Sequence, residues 1–167
     1  DSSSGTYNPN PKPDPVPNDC DNHGTHVASI AAGNDAAKKF KGVAPDAKLG
    51  AYRVFGCDGY TRDDVILAAM ERATKDGMDV VNMSNYPTSA AADAMADSGI
   101  VVAASAGNSR AKGIFANGDP SVAHKAISVG SVDNTHTRSF AFKGPDGKLV
   151  AYNALKGSPE APAAGKL

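Results

Sequence analysis

The stretch NHGTHVAS, residues 22–29, sets His23 and His26 three positions apart at the start of a segment with helical patterning. Three readings fit two imidazoles so placed: a metal pair, a general base with a scaffolding neighbour, or an ordinary helix start. The metal reading is the weakest. Two histidines that share a zinc on one helix face stand four apart with a glutamate between them. Here Gly24 and Thr25 fill a shorter gap, and no Cys or third His is placed as an obvious ligand. As a base, His23 takes the first helical position, where the positive end of the helix dipole favours the neutral imidazole that proton abstraction requires. A surface histidine at a helix start is the bland alternative, and on this stretch alone it is the stronger one.

Two further stretches could meet a substrate. SAGN, residues 105–108, follows an apolar run. The Asn108 amide can donate a hydrogen bond to a developing oxyanion. Ser105, Ala106 and Gly107 are small enough to let another chain approach the backbone closely. A plain Gly-Asn turn is the alternative. GCDGYT, residues 56–61, offers a glycine-flanked backbone around Gly59 and Tyr60 that another strand could pair with; a plain turn is again the stronger reading in isolation. The two cysteines, Cys20 and Cys57, are too few for a metal framework and neither lies in a CxxC. One disulfide or two free thiols both fit, and an oxidising compartment favours the bridge.

The elements that must carry these residues are legible as alternating helices and strands. His23–Ala32 reads as a short helix, capped by Asp21 or Asn22 and stopped by Gly33-Asn34. Residues 48–55, KLGAYRVF, read as a strand. Residues 61–77 form the clearest helix, with Thr61 as cap, Asp64 three residues on, and Val65, Ile66, Ala69, Met70 and Ala73 on one face. A buried strand over 79–84, a small-residue helix over Ala90–Asp97, an apolar strand opening 99–108 and a last strand over 125–133 follow. The strands are apolar throughout rather than alternating, the mark of a parallel sheet covered on both faces. In such folds ligands bind at the carboxyl ends of the strands, where Asn108 falls. Residues 134–152 read as a hairpin around GPDGK.

The composition narrows the partners. The 167 residues suffice for one domain with a core. A net charge of −1, from 17 basic and 18 acidic side chains, disfavours nucleic acid and anionic membranes. No apolar run approaches the roughly 20 residues of a membrane span, and no signal peptide opens the chain. Polar, Pro-rich sequence at both ends leads to the expectation of a piece of a longer protein.

Five segments together resemble the subtilisin-like serine proteases, the subtilases: HGTHVASIAAG (23–33), FKGVAPDAKLGAYRVF (40–55), GMDVVNMS (77–84), VVAASAGNS (101–109) and AISVGSVD (126–133). They occur in family order over most of residues 19–133. DCDNHGTHVA, GAYRVFGCDG and DDVILAAMERA look like the larger secreted members that carry a protease-associated insertion. The resemblance implies an α/β fold, a three-layer αβα arrangement around a mostly parallel sheet, here incomplete. It divides the chain into a Pro-rich loop (1–18), a partial catalytic domain (19–133) and the start of an inserted domain or a fragment end (134–167). It implies a serine endopeptidase working through an acyl-enzyme, with His23 as base, His26 as scaffold and Asn108 as oxyanion donor. Gly59 and Tyr60 fall on the edge that pairs with substrate, Ser105, Ala106 and Gly107 on one wall of the S1 pocket, and Ser84 at the start of the opposite substrate strand. A Cys20–Cys57 disulfide is implied as well, since some relatives bridge these loops.

Three departures accompany the likeness. The family's DTG-like aspartate strand and its GTSMA nucleophile motif are both absent. Asp1, Asp14, Asp19 and Asp21 are therefore left unassigned, and KGSPE (156–160) holds a serine without the pattern. After NMS the chain reads Asn85-Tyr86-Pro87 where Leu-Gly-Gly is usual, which changes the substrate strand. The chain alone is expected to be inactive, and a non-catalytic degenerate subtilase or a peptide-binding fragment is the alternative reading. The implied partners are polypeptide substrates and a propeptide or protein inhibitor, for a secreted monomer. No cofactor is needed for the chemistry. Calcium is common in the family, but no complete calcium loop is readable and no metal ligand is assigned.

Overall fold

The structure is a computed structural model that describes residues 15–16, 18–37, 39–57, 60–84, 86–113, 115–132 and 140–152. The chain divides into two compact units, Asp1–Gly130 and Ser131–Leu167.

The first unit opens with α1, His23–Ala32. Its C-terminus is held by residues 42–44, whose N–H groups donate to the carbonyls of Gly33, Ile30 and Ala31 at 2.7, 3.0 and 2.8 Å. That contact admits no side chain at Gly42: a Cβ there would lie 2.7 Å from the Gly33 nitrogen and 2.8 Å from the Ser29 oxygen. Between the two segments runs a short antiparallel pair that the sequence pattern does not announce, β1 (Asn34–Asp35) with β2 (Phe40–Lys41).

α2 spans Asp63–Lys75 and buries Ile66, Met70 and Ala73, the face expected from the 3.6-residue spacing. Its expected cap is corrected. Thr61 instead donates its hydroxyl to the Val54 carbonyl at 2.5 Å, tying the helix entry to the preceding segment. That segment, 48–55, is not a strand: no neighbouring strand pairs with it among the described residues. Tyr52 and Val54 pack against the core instead, and the Tyr52 hydroxyl donates to Asp76 at 2.9 Å. Arg72 holds the same carboxylate at 2.8 Å. The Arg72 and Tyr52 hydrogen bonds keep Asp76 below the ordinary carboxylate value. Desolvation, and then Asp76, push Tyr52 upward.

The central sheet is parallel, in the order β3 (Val80–Met83), β4 (Val101–Ser105), β5 (Ile127–Val129). Its register pairs Val80 with Val101, Met83 with Ala104, and Ala103 with Ile127. α3, Ser89–Asp97, makes the crossover between β3 and β4. Val102 (1% exposed) joins Ile66, Met70, Ala73, Ala92, Met95, Ile100 and Ala123 in the core under α2 and α3. Helices and a parallel sheet in this order fit the expected three-layer αβα fold. On the opposite face Val80, Val101, Ile127 and Val129 all remain exposed.

In the second unit, β6 (Phe140–Lys143) and β7 (Leu149–Tyr152) form the expected antiparallel hairpin, closed by the Gly147 N–H on the Gly144 carbonyl at 2.9 Å.

Candidate active site

His23 is the first residue of α1, and its side chain is exposed. The turn that presents it is closed by a residue the sequence left unassigned. Asn22 sits in the left-handed region (φ 67°) and makes no side-chain cap. The capping group is the Asp19 carboxylate. One oxygen accepts the N–H groups of Asp21 and Asn22 at 2.9 and 3.0 Å, and the other accepts the N–H and hydroxyl of Thr25 at 2.7 and 2.9 Å. The Thr25 N–H is the largest cause holding Asp19 at about 2, well below its ordinary 3.8, followed by the Asp21 N–H and the Thr25 hydroxyl. A carboxylate offers about four acceptor positions, and these four bonds occupy them. Asp19 is thus committed to the helix and is not free to orient an imidazole. Local capping rules missed it because they look one residue before the helix, whereas Asp19 reaches forward over six.

The same loop is fastened twice more. Cys20 and Cys57 form a disulfide, with Cα atoms 5.2 Å apart. Arg53 donates from Nη1 to the Asn18 carbonyl at 3.0 Å. His23 therefore follows a loop braced against residues 53–57, the lead-in to the candidate substrate edge. On that edge Tyr60 is 78% exposed, and Gly59 lies outside the described residues.

The remaining candidates gather at the carboxyl ends of two neighbouring parallel strands, the place where open α/β sheets bind ligands. Ser84 follows β3 and is exposed. Ser105 ends β4, and Ala106 donates its N–H to the Val129 carbonyl at 2.8 Å, continuing the pairing with β5 by one residue. Gly107 takes φ 94°, a conformation that any side chain would strain, and donates its N–H to Ser105 Oγ at 3.2 Å. The bend leaves Asn108 exposed. A second unforeseen residue braces the segment after Ser84. Asp119 accepts the Tyr86 N–H on its carbonyl at 2.6 Å, and its carboxylate accepts the Thr88 N–H at 2.9 Å and the Ser89 hydroxyl at 2.7 Å. Asp1, Asp14 and the serine of KGSPE fall outside the described residues.

A sequence profile of the subtilase family matches residues 1–161. Among curated proteins, the minor extracellular protease Vpr of Bacillus subtilis is 37% identical over 159 residues, covering 88% of this chain and 19% of that protein. Subtilisin DY of Bacillus licheniformis is 37% identical over 141 residues, 80% of this chain and 52% of that protein. The chain thus spans about half the length of one relative and about a fifth of the other. Among solved structures, the epidermin leader peptide processing serine protease of Staphylococcus aureus superposes with a TM-score of 0.51 at 22% identity, over 64% of this chain and 33% of that one. That likeness is one of fold, and it agrees with helices layered on a parallel sheet.

Proposed function

Because the chain belongs to the subtilase family, we propose that the full-length protein is a serine endopeptidase in which this chain supplies the base and the oxyanion donor. The observation that carries the reading is where the fold places the two candidate groups. His23 stands at the head of a helix closed by Asp19, and Asn108 stands at the carboxyl end of a core strand.

The chemistry follows from those two groups. A serine hydroxyl from outside the recognised segments attacks the scissile carbonyl while its proton passes to His23. The carbonyl oxygen becomes an oxyanion and receives the Asn108 amide N–H. The tetrahedral intermediate expels the amine, which takes the proton back from His23, and leaves an acyl-serine. Water, deprotonated by His23, then releases the acid. No cofactor enters. Gly59, Tyr60, Ser84, Ser105, Ala106 and Gly107 flank the substrate chain. The disulfide supports an oxidising, extracellular setting, as does the described extracellular location of one relative. Among the described residues no helix is long and apolar enough to cross a membrane.

A serine-directed fluorophosphonate tests the reading. The full-length protein is expected to hydrolyse casein and to carry the label on a serine outside residues 1–167, while the 167 residues alone do neither. A full-length protein that binds peptides but takes no label would leave the non-catalytic reading in its place.

A further inference from the structure

The Gly118–Ser121 turn is a buckle between the two walls of the candidate cleft. Gly118 donates its N–H to the Ala106 carbonyl at 2.9 Å, inside the Ser105–Asn108 wall. The next residue, Asp119, holds the opposite wall. Its carbonyl takes the Tyr86 N–H, and its carboxylate takes the Ser89 hydroxyl and the Thr88 N–H, which is shared with the Tyr86 carbonyl at 2.7 Å. The turn itself is fixed. Pro120 and Ser121 are buried, and the Ser121 hydroxyl donates to the Gly118 carbonyl at 2.6 Å.

The β3–β4 ladder ends with Met83 paired to Ala104, and beyond it the hydrogen bonds from Asp119 hold Tyr86, Thr88 and Ser89. Thr88, the residue before α3, makes no side-chain cap of its own. The Asp119 carboxylate, 31 residues away in sequence, takes the Thr88 N–H at the entry to α3, with its negative charge at the end of the helix where the dipole favours it. Tyr86 is then turned against Phe55, with ring centroids 5.4 Å apart.

We propose that Asp119 is a positioning residue for substrate selectivity, fixing the wall that starts at Ser84 relative to the wall of Ser105–Asn108. The proposal rests on the protease reading above. Above the last β3–β4 pair, Met83 with Ala104, the adjacent residues Gly118 and Asp119 bond one wall each and so link them, and pocket width decides which side chains enter.

The test uses the full-length protein, its active sites counted by fluorophosphonate titration, and two peptide p-nitroanilides differing only in Phe or Ala at the residue before the cut. Asp119→Ala is expected to change the Phe/Ala ratio of kcat/KM by about fivefold or more, mainly through KM, since pockets discriminate by tens of fold on a few carbons. Asp119→Asn keeps an acceptor oxygen and is expected to restore the wild-type ratio. A role in stability alone would lower the titratable fraction and leave the ratio untouched, and that result overturns the proposal. So does an Asp119→Asn that behaves like the alanine variant. Should Asp119→Ala not fold, Ser89→Ala removes one bond to the carboxylate: a smaller change in the ratio supports the role, and an unchanged ratio overturns it. A wild-type protein that takes no label sinks the protease reading and this proposal with it. Labelling with an unchanged ratio sinks only the role of Asp119.

Discussion

Asp19 reaches six residues forward to clasp Thr25, taking its N–H at 2.7 Å and its hydroxyl at 2.9 Å, and the helix headed by His23 begins inside that clasp. The sign of its pH dependence follows. A carboxylate held at about 2 instead of 3.8 stabilises the fold fully above 3.8, and that contribution is lost as the pH falls through about 2. Asp19→Asn puts an amide NH2 where N–H donors already point. It is expected to lower Tm at neutral pH, with the gap from wild type closing between about pH 4 and pH 2. Thermal melts of both proteins across that range check it. A gap that persists unchanged at pH 2 would show that the clasp is not the cause.

The disulfide closes a separation of 37 residues. Loop-closure entropy gives about 4 kcal/mol of stabilisation for a loop of that size. The double variant Cys20→Ser/Cys57→Ser is expected to lose stability of that order in urea melts, and wild type in reductant is expected to match it. Equal midpoints for the variant and the oxidised protein would refute the estimate.

Local signals carried much of this fold. The bounds of α1 follow from a small apolar run with Gly33 behind it, and the buried face of α2 from the spacing of Ile66, Met70 and Ala73. Apolar strands announced the parallel sheet. What stayed hidden depends on partners distant in sequence. Residues 48–55 have strand-like composition, yet a strand needs a neighbour, and the segment spends its side chains on the core and on Asn18. Thr61 looks like a cap, but the Val54 carbonyl offers its hydroxyl a partner outside the helix. Asp19 caps α1 and Asp119 holds the entry to α3, each from a distance, so rules built on the adjacent residue pass over them. His23 and Asn108 are candidates because a family pattern names them; their exposure does not single them out from other surface residues.

Gly42 makes a test of close packing. A Cβ there meets the Gly33 and Ala32 nitrogens and the Ser29 oxygen at 2.7–2.8 Å, all backbone atoms that cannot rotate away. Gly42→Ala is expected to cost about 1–3 kcal/mol, the range for overpacking. Gly130→Ala, where a Cβ meets nothing within 4 Å, is the control. Urea midpoints of the two variants decide it, and equal losses would mean that the α1 contact yields freely.

Kinetics separate the roles proposed for His23, Asn108 and His26. Without its imidazole, a protein with His23→Ala has no acceptor for the serine proton, so hydrolysis and fluorophosphonate labelling are both expected to collapse. Asn108→Ala keeps the activated serine and loses one donor to the oxyanion. Labelling should still run to completion, more slowly, while kcat falls about 10²–10³-fold, the loss typical of one missing oxyanion donor. KM should change little, because a bond made only in the transition state does not hold the ground state. His26 lies one turn into α1, where its N–H donates to the Asn22 carbonyl at 3.0 Å. The alanine variant at that position keeps this backbone bond and should alter Tm rather than kcat. If His26→Ala removed labelling and His23→Ala did not, the base would be the second histidine, and the helix would present its chemistry one turn further in than its first residue.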